Sequence, residues 1–196
     1  MKTINQTVEL LQITELKIIE LAGRTCYQSQ GKITENSHKD FIKFIISKGH
    51  ESVLEHGIAT FRWITSRSVT HELVRHRIAS YSQESQRYVK YSNIEFINPV
   101  DREFTQQELD NLENVESLYT YLIKSKATPQ QAREILPNCT KTEIIFTMNF
   151  RELRHFLKLR CSKSAHPQIR DLALKTLAIC MDYSEDMFED IGCKGE

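Results

Sequence analysis

The sequence predicts an α+β fold, in which a small antiparallel β-sheet packs with several long helices in a single domain spanning residues 1–196. Apolar residues recur at helical spacing in the first 50 residues and again from residue 105 onward. Between these regions lie two stretches rich in β-branched and aromatic residues, a composition typical of strands. No repeat or flexible linker divides the chain, and 196 residues are enough for a self-standing core.

Two helices are predicted before residue 50. The first spans 14–22 and stops at Gly23, because glycine is common just beyond a helix end. The second begins at Ser37, where Asp40 three residues later resembles a capping box, and it ends at Gly49.

The segment GHESVLEHG is predicted to be a loop that leads into the sheet. One strand is predicted within IATFRWITSRSV, at 58–69, and a second within RYVKYSNIEFINP, which ends before Pro99. The basic and polar stretch RHRIASYSQESQRY lies between them, from Arg75 to Tyr88.

The remaining chain is predicted to be helical. Leucines at helical spacing predict a helix over 105–124, and a second helix has Pro129 at its first position and ends at Pro137. Two more helices are predicted over 142–160 and 167–188, joined by the polar segment CSKSAH.

The composition excludes several classes of protein. Lysine plus arginine and aspartate plus glutamate both total 26, so no chain-wide positive field favours nucleic acid. An odd number of cysteines without a CxxC pair argues against a disulfide framework and a zinc knuckle; they are Cys26, Cys139, Cys161, Cys180 and Cys193. Neither a signal peptide nor a membrane span is recognisable, so we expect a soluble cytoplasmic protein with no membrane partner.

Histidine spacing gives no metal site. His71 and His76 are five residues apart and His50 and His56 are six apart, whereas a zinc-binding helix needs four to bring both rings to one face. A cysteine nucleophile is conceivable at Cys26, but the sequence shows no base beside it. We therefore expect no metal and a buried structural thiol at Cys26.

The stretch RHRIASYSQESQRY has the composition of an anion site. Its arginines are fork-shaped donors suited to phosphate, and Ser85 and the backbone amides add further donors. Its tyrosines, Tyr81 and Tyr88, also suit stacking on the bases of RNA or single-stranded DNA, and a solvated basic loop would have the same composition. Composition alone leaves these three interpretations open.

The predicted helix 142–160 has one apolar side, formed by Phe146, Phe150, Leu153 and Leu157. Asn149 and Arg160 fall on its edge, and three cations are predicted to point away from it: Arg151, Arg154 and Lys158. A guanidinium on a partly buried edge needs an anionic or carbonyl partner. Arg160 is therefore a candidate ligand-binding residue, with an internal ion pair as the alternative.

The order of residues in RHRIASYSQESQR resembles the signature of the flavin-dependent thymidylate synthases. That signature is the triplet Arg75-His76-Arg77, then Ser85, then Arg87. Other blocks resemble the family in the same order over nearly the whole chain: GRTCY, GHESVLEH with Ser52, AREILP around Arg133, and NFRELRHFLKLR from Asn149 to Arg160.

The resemblance implies an enzyme that makes dTMP from dUMP, with methylenetetrahydrofolate as carbon donor, FAD as redox carrier and NADPH as reductant. It also implies an α+β fold and a homotetramer with shared active sites, and it implies no nucleic-acid partner. Arg160 would be the catalytic residue that activates the uracil ring.

The resemblance also assigns binding residues. The residues implied for the flavin are Ser52, Arg75, His76, Arg77, Gln83, Asn149, Arg151 and His155. Those implied for dUMP are Glu72, Arg75, Gln83, Glu84, Ser85, Gln86, Arg87, Arg133 and Arg160. The chain departs from many members at Ser82 and Gln83, where they have Asn and Glu, and at Glu72, where Gln is frequent. Two other functions remain open at this point: a nucleic-acid-binding protein without catalysis, and a flavoprotein with a different reductive reaction.

Overall fold

The computed structural model describes residues 1–191. Its strands are β1 (Lys2–Ile4), β2 (Thr7–Ile13), β3 (Ile58–Ser66), β4 (Ala79–Gln83), β5 (Glu95–Ile97) and β6 (Lys141–Asn149). Its α-helices are α1 (Lys17–Thr25), α2 (Ser37–Ser47), α3 (Arg67–Leu73), α4 (Gln106–Lys124), α5 (Pro129–Ala132), α6 (Phe150–Arg160), α7 (Pro167–Tyr183) and α8 (Glu185–Phe188). Short 3-10 turns occur at Gln30–Lys32, Glu51–His56, Arg133–Ile135 and Glu189–Ile191.

Four strands form one sheet in the order β2-β3-β6-β4. Strands β3 and β6 are antiparallel, because Gly57 before β3 accepts a hydrogen bond from Phe150 after β6, and Arg67 after β3 donates one to Thr140 before β6. The small antiparallel sheet and the α+β fold class are therefore confirmed. Strands β1 and β5 form a separate parallel pair in which Thr3 aligns with Phe96, and this pair was not predicted.

The contacts of the chain group it into two compact units. Unit 1 comprises Met1–Thr7, Trp63–Arg75 and Tyr81–Ile145; unit 2 comprises Val8–Arg62, His76–Ser80 and the chain from Phe146 onward. Strands β2, β3, β4 and β6 each pass from one unit into the other along the backbone. The prediction of one domain over 1–196 stays a prediction.

The core of unit 2 is aromatic. Phe61 and Phe146 stack with ring centroids 5.7 Å apart, and Phe150 meets Phe188 edge to face at 6.4 Å. Each of these buried rings contributes about 1.5–3 kcal/mol through the apolar surface it removes from water. Gly57 lies against the Phe150 ring, and a Cβ atom at position 57 would overlap that ring. This core fixes the start of α6, which carries several of the predicted site residues.

Helix α4 organises the core of unit 1. A capping box begins it, in which the Thr105 hydroxyl accepts from the Glu108 backbone N while the Glu108 carboxylate accepts from Thr105. Leu112 and Tyr119 from α4 pack with Phe96 of β5 in a buried cluster. The cluster also contains Ile94, so it anchors the end of the segment that runs from the triplet Arg75-His76-Arg77 to β5.

The prediction of one helix over 142–160 is wrong in its first half. Residues Lys141–Asn149 form β6, in which alternate side chains are buried, and the helix begins only at Phe150. The buried positions of the strand are Thr142, Ile144, Phe146 and Met148. Their two-residue period, together with β-branched threonine and isoleucine, is the strand signal. The spacing of Phe146 and Phe150 coincidentally fits a helix as well.

Other boundaries also differ from prediction. The strand predicted over 58–69 ends at Ser66, whose hydroxyl caps α3. Of the strand predicted before Pro99, only Glu95–Ile97 forms, and the segment GHESVLEHG contains a 3-10 turn. Strands β1, β2 and β4 were not predicted.

The two N-terminal helices have different ends from those predicted. Gly23 lies inside α1, where the Phe41 ring occupies the space that a Cβ atom would need. The capping box predicted at Ser37 is wrong, because its hydroxyl donates to Glu20 at 2.7 Å. Gly49 does follow α2, with φ of 68°. Within residues 1–191, no helix is both long enough and apolar enough to cross a membrane.

Candidate active site

Helix α6 carries the residues that the resemblance selects near the end of the chain. Asn149 is its N-cap, and the Asn149 Oδ1 accepts a hydrogen bond from the backbone N of Glu152 at 2.9 Å. An asparagine here stabilises the helix because it satisfies a backbone N–H that has no partner within the helix. Phe156 and Leu157 are fully buried, so the helix is anchored along one face.

Arg160 lies in the last turn of α6 and is half-buried, in agreement with its predicted edge position. Its Nε donates a hydrogen bond to Nε2 of His76 at 3.1 Å. A ring nitrogen therefore holds this edge of the guanidinium.

His76 is buried, with 7% of its surface exposed. Its Nδ1 lies 3.1 Å from Oε1 of Glu152, and its ring meets Phe156 edge to face. Burial lowers the pKa of His76; the hydrogen bond to Glu152 opposes this shift, and the charge of Arg160 adds to it. The ring is therefore neutral near pH 7, which leaves one nitrogen able to accept from Arg160.

A metal-like grouping occurs at the same place. In the described residues, potential ligand atoms of His76, Glu152 and His155 all lie within 4.8 Å of one another. Both ring nitrogens of His76 are already hydrogen-bonded, so an ion would have to displace Glu152 or Arg160. Spacing within the sequence does not predict this trio, because His76 and Glu152 are 76 residues apart.

Several of the polar residues predicted for the flavin are exposed on unit 2. Arg77 and His155 are exposed, as is Ser52 in the 3-10 turn Glu51–His56. Arg151 forms an exposed salt bridge to Glu55 of the same turn at 2.6 Å. Unit 2 thus contains most of the residues predicted for the flavin: Ser52, His76, Arg77, Asn149, Arg151 and His155. Arg75 and Gln83, which were also predicted for it, belong to unit 1.

Arg154 does not point into solvent as predicted. Its side chain is 1% exposed and forks onto the Asp190 carboxylate at 2.8 and 2.7 Å, and it also donates to the backbone O of Met187. Burial alone would raise the pKa of Asp190, but Arg154 and Lys158 outweigh it and the pKa is lowered. Arg154 therefore ties the segment after α7 to the helix that carries Arg160.

Gln83 occupies a defined position in unit 1. Its Nε2 donates to the hydroxyl of Thr70 at 3.0 Å and to that of Thr142 at 3.2 Å. The Thr70 hydroxyl itself donates to the backbone O of Arg67, so its oxygen can only accept from Gln83. These bonds orient the amide and use both of its N–H groups, which leaves Oε1 as an acceptor for a ligand.

Glu84 is engaged by its neighbours. Its carboxylate accepts from the Tyr91 hydroxyl at 2.5 Å and from Lys141 at 2.9 Å, and its backbone N donates to Glu143. Burial raises the pKa of Tyr91, and the bond to Glu84 raises it further, so the phenol stays protonated. Glu84 thus braces the segment between β4 and β5.

The other predicted dUMP residues also belong to unit 1, apart from Arg160. Arg87 is exposed over the ring of Tyr88, and its backbone N donates to the Ser85 hydroxyl at 3.3 Å. The remaining four are a buried Gln86, a half-buried Glu72, an exposed Arg75 and a half-buried Arg133, whose Nε is 3.4 Å from Glu134.

The thiol predicted to be structural differs from expectation. Cys26 is exposed, and its Sγ donates to the backbone O of Ala22. Cys161 and Cys180 are buried, and burial raises the pKa of Cys180 to about 12, so that thiol is inert near pH 7. Cys193 lies outside the described residues.

Comparison with known proteins identifies the family. A profile of the family described as thymidylate synthase complementing protein matches residues 9–184. A flavin-dependent thymidylate synthase from Pyrococcus furiosus is 41% identical over 89% of this chain and 75% of its own length. One from Geobacter sulfurreducens is 39% identical over 89% of this chain and 81% of its own length.

A solved structure supports the same fold. A UMP/dUMP methylase, PolB, from Streptomyces cacaoi, solved with 5-Br dUMP bound, matches with a TM-score of 0.84 over 96% of each chain, at 24% identity. The family match and the named relatives define this protein as an enzyme. The chain belongs to the flavin-dependent thymidylate synthase family, as the motif RHRIASYSQESQR predicted.

Proposed function

We propose that this enzyme forms dTMP from dUMP, with methylenetetrahydrofolate as carbon donor, FAD as redox carrier and NADPH as reductant. The names of its relatives support the product and the flavin. The dUMP analogue bound to the Streptomyces cacaoi methylase supports the substrate. The observation that carries the proposal is the fixed guanidinium of Arg160 beside the neutral ring of His76.

Arg160 is the proposed catalytic residue. Methylation at the ring carbon of uracil requires electron density to build up on the ring and its oxygens. A guanidinium that is already oriented stabilises such charge without reorganising during the reaction. The hydrogen bond to His76 and the half-buried position of Arg160 provide that preorganisation.

The side chains of unit 2 fit FAD by their chemistry. The guanidinium groups of Arg77 and Arg151 suit its diphosphate, and the Asn149 amide, the His155 ring and the Ser52 hydroxyl suit oxygens and nitrogens of the cofactor. The proposal extends to Arg75, His76 and Gln83. When bound, FAD supplies the hydride chemistry that no amino-acid side chain provides.

We propose that dUMP binds to the segment from Gln83 to Arg87, together with Glu72, Arg75, Arg133 and Arg160. Exposed guanidinium groups at Arg75 and Arg87 match a phosphate with paired N–H donors. The Gln83 Oε1 accepts from a hydroxyl or imide N–H of the nucleotide. Glu84 acts chiefly through Tyr91 and Lys141, which hold this segment in place.

The proposal includes a homotetramer with shared active sites, one functional domain over residues 1–196, no nucleic-acid partner and a cytoplasmic location. The odd number of cysteines and the lack of a CxxC pair in the sequence support a reducing compartment. Size-exclusion chromatography with light scattering measures the assembly, and a tetramer mass is the expected result.

Two measurements test the function. An absorbance spectrum with added FAD should show a bound flavin. Tritium release from 5-tritiated dUMP should then require both methylenetetrahydrofolate and NADPH. Flavin binding without release would leave a flavoprotein with another reductive reaction. A colourless protein whose RNA affinity falls steeply with salt would instead indicate a nucleic-acid-binding protein.

A further inference from the structure

We propose that Glu152 is a positioning residue, which fixes the tautomer of His76 and through it the orientation of the Arg160 guanidinium. The inference rests on the proposed function for the role of Arg160. The hydrogen-bonded chain on which it is built does not depend on that function. Neither the signature motif nor the predicted site residues include Glu152.

The hydrogen bonds to Glu152 and Arg160 allow one placement of the hydrogen on the neutral His76 ring. The Nε of Arg160 carries a hydrogen and can only donate, so Nε2 of His76 must present its lone pair. The hydrogen of the neutral ring then sits on Nδ1, which faces Oε1 of Glu152 at 3.1 Å. A carboxylate is an acceptor and completes the chain without an unpaired group.

The chain is braced at both ends by one helix. Glu152 and Arg160 lie eight residues apart on α6, about two turns. His76 comes from another segment and bridges these turns. Asn149 fixes the first turn through the backbone of Glu152, and Phe156 packs against the ring between the two hydrogen bonds. This arrangement removes rotamer freedom from Arg160, whose side chain is otherwise long and flexible.

The charge on Glu152 matters as well as its position. A carboxylate that accepts from one ring nitrogen makes the other nitrogen a stronger acceptor, the effect known for histidines held by carboxylates in metal sites. His155 is the other titratable group close to the ring, with its centroid 6.1 Å away. Its side chain is exposed, and it does not interrupt the chain between Glu152 and Arg160.

A spectroscopic test needs no cofactor or turnover. Nitrogen NMR of ring-labelled protein, with His76→Gln to assign the signal, should show a neutral His76 with its hydrogen on Nδ1 at pH 7.5. In Glu152→Gln the fraction of this tautomer should fall. A wild-type His76 that carries its hydrogen on Nε2 would overturn the proposal, whatever reaction the enzyme performs.

A kinetic test separates positioning from binding. Glu152→Gln should lower kcat about 10- to 100-fold and leave the KM for dUMP within about threefold, because Arg160 is needed most in the transition state. Glu9→Gln is the matched control, since it removes a carboxylate from an exposed pair with Arg62 in the same unit. It should retain the wild-type kcat.

The outcomes remain distinguishable. Wild-type kcat in a folded Glu152→Gln protein would overturn the positioning role while leaving thymidylate synthesis intact. No dTMP from the wild-type enzyme would refute the proposed function, and the NMR result would still decide the tautomer. If Glu152→Gln fails to fold, as shown by circular dichroism, the wild-type spectrum alone decides.

Discussion

The buried guanidinium of Arg154 and the carboxylate of Asp190 form a two-pronged pair, with N–O distances of 2.8 and 2.7 Å. Because Arg154 lies on the same helix as Arg160, this pair connects the packing of the chain's last described turn to the candidate site. Loss of this pair should therefore lower the free energy of unfolding more than it lowers the rate of catalysis.

Arg154→Ala should lower the free energy of unfolding by about 2–4 kcal/mol, since it leaves a cavity and removes the buried two-pronged partner of Asp190, whose carboxylate is then left to the exposed Lys158. Urea denaturation measures the change. Lys158→Ala is the control, because Lys158 contacts the same carboxylate at 3.4 Å from an exposed position. That change should cost less than about 1 kcal/mol. Equal losses in both variants would contradict the role of Arg154.

Arg160→Ala should abolish turnover while FAD remains bound, because the guanidinium is proposed to act on the nucleotide. We expect kcat to fall at least about 100-fold, as for removal of one preorganised charge-stabilising donor. Tritium release measures turnover and the flavin spectrum measures occupancy. Lys158→Ala, which removes an exposed cation from the same helix, should remain active. Wild-type dTMP formation by Arg160→Ala would refute the assignment.

Arg87→Ala should weaken dUMP binding at least about tenfold, which corresponds to the loss of one charge-assisted hydrogen bond. Titration calorimetry with dUMP measures the affinity. Lys90→Ala removes another exposed cation three residues along the chain and serves as the control. If the two variants bind dUMP equally well, Arg87 does not contact the phosphate.

The amide orientation of Gln83 can be tested through Thr142. Replacing this buried threonine by valine keeps the shape of the side chain but removes an acceptor for Nε2. The amide is then free to turn, and dUMP affinity should fall about fivefold, equivalent to about 1 kcal/mol. Thr147→Val is matched to it, because Thr147 lies on the same strand and bonds to Thr60. An unchanged affinity in Thr142→Val would mean that Gln83 is not held by this bond.

Acid should destabilise the protein through His76. Its pKa is lowered in the folded state, mainly by burial, so the unfolded chain binds a proton that the folded chain does not. The free energy of unfolding should therefore fall as the pH decreases below about 6.5, the ordinary histidine value.

Urea midpoints at several pH values between 7.5 and 5.5 measure this slope. His76→Gln should make the slope shallower, whereas His71→Gln, which removes an exposed ring, should keep it. An unchanged slope in His76→Gln would show that other groups cause the acid sensitivity.

Local patterns in the sequence were sufficient for part of the fold and the site. The helix Gln106–Lys124 was predicted to within one residue, because its apolar residues keep helical spacing along its length. The segment Lys141–Asn149 was misassigned, because its apolar residues fit both periods and its pairing with β3 and β4 selects the strand.

Contacts between distant segments could not be predicted. His76 and Glu152 are 76 residues apart, and Arg154 and Asp190 are 36 apart, so no periodicity connects them. A charged run such as RELRHFLKLR predicts solvent exposure for most of its cations, and only the packed structure shows which of them finds a buried partner.

Gly57 has a consequence for anyone who makes libraries of variants of this enzyme. Its backbone dihedrals, φ −103° and ψ 146°, are open to nearly every amino acid, so conformational rules alone would permit free substitution. The Phe150 ring fills the space where any side chain would begin. The range of residues that position 57 accepts is thus limited by volume. A library that varies position 57 should also place a smaller residue at position 150.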